Sequence, residues 1–219
     1  MFNESMLALI NTGFWESIYM TLISAFFAYV IGLPLGLILV VTDKDGIRPM
    51  PVVYEVLGFV INCLRSVPFL ILMMALGPFT RFLVGTSIGA KAAIVSLVIS
   101  GAPFIARLVE SSLKEVEKGI IEAAQSMGAS PFQIMRKVLL PEALPSLLVG
   151  SAIAVATILG YSAMAGIIGG GGLGAIAINY GYYRRQEDVL YVMVILLAVI
   201  VQVFQGIGMW IAKHKDKRL

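Results

Sequence analysis

The sequence is short of charge and nearly lacks cysteine and histidine. Charged residues fill 13% of its 219 positions, where a soluble domain carries about 25%. That deficit excludes an ordinary water-exposed surface. The lone cysteine, Cys63, excludes a disulfide scaffold. The lone histidine, His214, lies in a basic tail, so neither residue supports a metal or nucleophile site. What the chain has instead is oil: 59% of it is hydrophobic. The same excess excludes intrinsic disorder. The net charge of +3 therefore reads as a topology signal in membrane loops rather than as a nucleic-acid footprint. The fold class expected is all-α, a polytopic membrane protein.

Long uncharged runs place the spans. No Asp, Glu, Lys or Arg occurs between Glu16 and Asp43, or between Glu142 and Arg184. Each crossing needs roughly 20 apolar residues. Five transmembrane helices are expected, at about 18–41, 55–76, 84–105, 147–168 and 189–212. Arg65 interrupts the second and Lys91 the third. The stretch Leu173–Tyr183 is too short to cross, and its tyrosines favour an interfacial placement after the Gly169–Gly172 run. The 219 residues are read as one membrane domain with no room for a second folded domain.

Charge then sets the orientation. With the N-terminus outside and the C-terminus in the cytoplasm, eleven Lys and Arg fall on the cytoplasmic side and three outside. This is the usual positive-inside bias. The first 43 residues hold no Lys or Arg, which argues against a cleaved leader. The remaining information lies in one long cytoplasmic loop, residues 107–146. Val109, Leu113, Val116, Ile120 and Ala124 recur at helical spacing, so a helix is expected to continue out of span three. Gly128 offers a residue able to take φ > 0 at its end. Ser130, Pro131 and Gln133 then spell a capping-box restart, and Pro141 is expected to end that second helix.

Residues 122–141 read EAAQSMGASPFQIMRKVLLP. This resembles the signature loop of permease subunits of bacterial ATP-binding-cassette importers: EAA, three residues, G, nine residues, I, one residue, LP. Glu122, Ala123, Ala124, Gly128, Leu140 and Pro141 fall at the matching positions, with Val138 in place of Ile. Further segments, RSVPF (65–69), GTSIGAKAAIV (85–95), APFIARLVE (102–110), KVLLPEALP (137–145), GYSAM (160–164), GGGGLG (169–174) and NYGY (179–182), resemble the methionine-importer permeases over nearly the whole chain. Lys91 is a departure from that pattern. The resemblance implies a homodimeric permease in the bacterial inner membrane. Two ATPase subunits would sit below it and a methionine-binding protein would dock outside. The seven signature positions would then form the coupling helix, with ATP and magnesium on the partner ATPase and no cofactor on this chain.

The membrane charges bear on the energy source independently. Apart from Glu55 at the inner edge of span two, the expected spans hold no carboxylate, where an ion-driven carrier would be expected to have them. GGGGLG lacks the Lys-Ser/Thr ending of a nucleotide site, and no catalytic constellation is visible. Energy must come from a partner. Thr157, Tyr161 and Met164 share one face of span four and are the candidates for lining a substrate route; a plain packing seam is the alternative. The glycines after span four read equally as hinge or as loop. Gly32 and Gly36 have the spacing of a close helix contact, with a simple kink at Pro34 as the alternative. Arg65 either snorkels or pairs within the bundle. Other functional readings are a permease for a different small solute, or a membrane scaffold that docks a cytoplasmic partner without transport.

Overall fold

The computed structural model describes residues 4–215 and contains no strand among them. Four helices are long and apolar enough to cross a membrane: α1 (Glu4–Thr42), α5 (Ala90–Lys114), the stretch Leu144–Ile168 and α11 (Glu187–Lys215). Between α1 and α5 lie α2 (Pro51–Ser66), α3 (Phe69–Ala75) and α4 (Gly77–Val84). Together α2 and α3 pass the same test but bend by 101° at their junction. The crossing expected at 55–76 is therefore not one straight helix. Val67 precedes Pro68, and a residue before proline is driven out of the α region.

Two other boundaries depart from the expected spans. The first helix starts near residue 4, well before residue 18, and at 39 residues it is about 58 Å long. Glu16 lies within it, its carboxylate accepting from the Gly172 N–H. The second long helix, α5, begins at Ala90, since Gly85 (φ +79°) and Gly89 (φ +95°) separate it from α4. Lys91 thus sits exposed in the first turn of α5, and its charge needs no burial.

After α5 come α6 (Lys118–Ser126), α7 (Pro131–Ile134), a wide π-type turn (Met135–Leu139) and α8 (Leu140–Glu142). The chain then runs into α9 (Leu144–Ala165) and a short 3-10 turn (Gly166–Ile168). Finally α10 (Gly172–Ile176) leads through a second π-type turn (Ala177–Tyr182) to α11. The helix leaving span three does not run on to Ala124: it stops at Lys114 and restarts at Lys118. Nor does Pro141 end the second helix. The π-type turn before it uses wider hydrogen bonds, Leu140 N–H to Met135 O, and the helical path passes through the proline.

The chain divides into two compact units. One comprises Met1–Ala28, Val67–Gly101 and Val155–Gln205. Its core is Leu159, Leu173, Ile176, Ala177, Val189, Met193 and Ile200, covered by Met6, Leu9, Ile10, Phe14 and Ile18 of α1. The segment after the glycine run therefore turns its apolar side into this core. Only part of its tyrosine cluster matches an interfacial reading: Tyr182 and Tyr183 are exposed, and the Arg184 guanidinium lies 4.3 Å from the Tyr180 ring centre.

The glycine run is anchored by α1. The Gly172 N–H donates to the Glu16 carboxylate at 2.9 Å, and the Leu173 N–H donates to the Ser17 hydroxyl at 2.9 Å. Two orphan donors at the start of a helix thus find partners 156 residues away in sequence. Gly171 takes φ +85° and ψ −164°, a backbone conformation open essentially to glycine alone. Ser17→Ala should remove about 1 kcal/mol of capping. For a chain of this length the unfolding midpoint in detergent should fall by about 2–4 °C. An unchanged midpoint would show that the cap is not needed.

The other unit comprises Tyr29–Ser66, Ala102–Ala154 and Gly206–Leu219. Here α1 and α5 pack at close range, as the spacing of Gly32 and Gly36 implies. A Cβ on Gly32 would come within 2.8 Å of Ala102 O, and one on Gly36 within 2.7 Å of Ala106 O. Leu39, Ile61 and Ala106 form the buried centre, with Leu35, Tyr54 and Leu57 packed against it.

Candidate functional site

The segment from α6 to α8 is built by local chemistry. At the end of α6 the Ala129 N–H bonds to Ala124 O at 3.1 Å, and the Gly128 N–H bonds to Gln125 O at 2.9 Å. With Gly128 at φ +78° this is a Schellman stop, which needs a left-handed residue just past the helix. Two residues on, the Ser130 hydroxyl accepts from the Gln133 N–H at 3.3 Å. The Gln133 side-chain oxygen accepts from the Ser130 N–H at 2.8 Å. That is the capping box expected from the sequence, with Pro131 at the first helical position. The outcome is a rigid knob of helix, tight turn and helix.

The signature residues divide between its two sides. Glu122, Ala123, Gly128 and Pro141 are exposed, while Val138 and Leu140 are half-buried. Ala124 is only 5% exposed, so it faces inward with Ile134 and Leu139 rather than outward to a partner. Its small size serves packing within the knob. The tip instead carries Met127, 81% exposed, and Phe132, 65% exposed, on either side of Gly128. Sequence reasoning passed over both. Their signal was available: they are the large apolar side chains flanking a tight turn otherwise made of small and polar residues. Apolar groups presented this openly mark a contact surface.

Thr157, Tyr161 and Met164 all lie on α9. Thr157 and Tyr161 are half-buried, and Met164 is 49% exposed. Gly160 and Ile167 continue the same exposed strip at helical spacing. Tyr161 is held by stacking on Phe69, with ring centres 4.9 Å apart and planes 4° from parallel. Ser162 lies on another side, buried and donating to Leu159 O at 2.8 Å. Ser151 donates to Leu148 O at 2.7 Å and also pairs with Tyr29. Neither serine belongs to the strip. The strip offers one rigid aromatic, one flexible thioether and a gap at Gly160, which suits an uncharged apolar group.

Arg65 is exposed in the last turn of α2, before the bend. Among the described residues no group of three or more His, Cys, Asp and Glu is placed to hold a metal ion.

The chain is 50% identical over 210 residues to the "Probable D-methionine transport system permease protein MetI" of Vibrio cholerae, covering 96% of this chain and 93% of that protein. It is 51% identical over 164 residues to the D-methionine transport system permease protein MetI of Escherichia coli K12, covering 75% and 76%. A solved structure of inward-facing conformations of the MetNI methionine ABC transporter matches with TM-score 0.97 at 46% identity, over 99% of this chain and 100% of that one. An amino acid ABC transporter crystallised with histidines shares the fold, with TM-score 0.78 at 21% identity, over 98% and 100%. The family model for the inner membrane component of binding-protein-dependent transport systems matches residues 28–219. The chain belongs to that family.

Proposed function

We propose that this chain is the membrane-spanning permease subunit of an ATP-driven importer that brings methionine into the cytoplasm. The observation that carries the reading is the likeness, at 46% identity and end to end, to a chain of the MetNI methionine transporter. The whole chain acts as one permease domain in the inner membrane, crossing five times with its N-terminus outside. Two copies pair to enclose the route, and each binds an ATPase subunit that carries ATP and magnesium. A methionine-binding protein delivers substrate from outside. The chain itself performs no chemistry.

The knob gives the division of labour a physical form. Glu122, Ala123 and Gly128 present its outer surface to the ATPase, with Met127 and Phe132 at the tip. Ala124, Val138, Leu140 and Pro141 shape it from within and behind. Because the Schellman stop and the capping box leave its turn little freedom, a displacement of the tip moves the knob as a body. Thr157, Tyr161 and Met164 line the route, where a thioether substrate meets an apolar strip.

The test is uptake of labelled methionine by proteoliposomes holding this chain, its ATPase and its binding protein. Competition by excess unlabelled methionine should exceed that by leucine, histidine or glutamine at least tenfold. Equal competition by another amino acid would overturn the substrate while leaving the importer reading in place.

A further inference from the structure

A network of charges lies at the root of the knob. Glu110 is 5% exposed in the last third of α5. One of its oxygens pairs with the Arg107 guanidinium. The other accepts from Lys114 Nζ at 2.8 Å and from the Tyr54 hydroxyl at 3.1 Å. Arg107 reaches on to α2, donating to Gly58 O at 3.2 Å and to the Asn62 side chain at 3.0 Å. Lys114 also pairs with Asp43, 2.7 Å away in the loop after α1. One buried carboxylate thus ties together α2, α5 and the 43–50 loop.

Its position along the chain gives the network its meaning. Lys114 is the last residue of α5, and Lys118 is the first of α6, which carries the knob. The same loop grips both sides of this break: Asp43 holds Lys114, and Asp45 lies 3.7 Å from Lys118. The loop is itself stiff, since the Arg48 N–H bonds to Val41 O and the Met50 N–H to Thr42 O, both at 3.0 Å. Burial would raise the Asp43 pKa. The hydrogen bond and charge of Lys114, helped by Lys44, outweigh this and hold its carboxyl below the usual range. The Arg107 Nε is buried without a partner among the described residues. Both Glu110 oxygens are paired, however, and a carboxylate held from two elements rigidifies what it joins.

We propose that Glu110 is a positioning residue for coupling: it locks α5, α2 and the 43–50 loop into one body, so that movement of α6 reaches the membrane helices instead of being absorbed at residues 115–117. The proposal rests on the ATP-driven importer reading. Loss of Glu110 should change the yield of transport per ATP rather than hydrolysis itself.

The experiment measures methionine taken up per ATP hydrolysed by the reconstituted complex. Wild type is read first, and absence of ATP-dependent uptake there would overturn the importer reading itself. Glu110→Gln keeps shape but removes the charge; ATP hydrolysis should stay within twofold while uptake per ATP falls at least fivefold. Glu110→Asp, which keeps the charge, should recover part of the loss. An unchanged ratio in Glu110→Gln would overturn the proposal. So would a parallel fall in assembled complex, hydrolysis and uptake, the mark of a purely structural role. Asp43→Asn at the edge of the network provides a variant less exposed to folding failure. Its ratio should fall at least twofold at normal complex yield, and an unchanged ratio would again contradict the proposal.

Discussion

Gly128→Val should lower methionine uptake per ATP at least tenfold while the chain still inserts and assembles. The glycine sits at φ +78°, and no heavy atom lies within 4 Å of where a Cβ would be. The substitution therefore costs nothing in packing; all of its cost is backbone. A β-branched residue in the left-handed region is a genuine outlier, and such strain is worth about 1–3 kcal/mol. The chain can escape by giving up the Schellman bonds of Gly128 and Ala129, and then Met127 and Phe132 no longer hold their places on the tip. Gly128→Asn separates the two effects, because asparagine tolerates this conformation. It should retain most coupling. Coupling within twofold of wild type in Gly128→Val would remove the turn from the mechanism.

Gly36→Leu should have the largest effect on stability. A Cβ there would lie 2.6 Å from Val109 Cβ and 2.7 Å from the Ala106 carbonyl oxygen, both fixed parts of the neighbouring helix. Neither can swing aside as the end of a long side chain could. Overpacking of a tight contact costs about 1–3 kcal/mol and sometimes more. With backbone in the way the upper end applies, and the unfolding midpoint in detergent should fall by about 6–12 °C. Gly206 is the control. It lies inside α11 with no heavy atom within 4 Å of its would-be Cβ, so Gly206→Ala should leave the midpoint unchanged or raise it slightly. Equal behaviour of the two variants would contradict the close contact of α1 with α5.

How far the sequence could be read depended on the range of the interactions. The knob was legible because Gly128, Ser130, Pro131 and Gln133 act within one or two turns of themselves. The contact of α1 with α5 was legible from Gly32 and Gly36, since small residues four apart have few other uses on a membrane helix. Glu16 misled because its partner, the Gly172 N–H, lies 156 residues on and nothing local announces it. Pro141 misled because a wide turn ahead of a proline removes the clash that normally ends a helix. Ala124 shows the limit of motif reading: the signature marks the position, but only packing shows that it faces inward. The charge network lay between these cases. Arg107, Glu110 and Lys114 follow helical spacing, but only the burial of Glu110 against Tyr54 makes them a lock.

The low charge that first marked this chain as a membrane protein also frames its energetics. The proposed importer takes its driving force from a partner ATPase. The most direct test energises the same proteoliposomes in two ways. With ATP inside and no ion gradient, methionine should accumulate only when both the ATPase and the binding protein are present. A proton or sodium gradient without ATP should give no accumulation. Accumulation driven by an ion gradient in the absence of the ATPase would contradict the account.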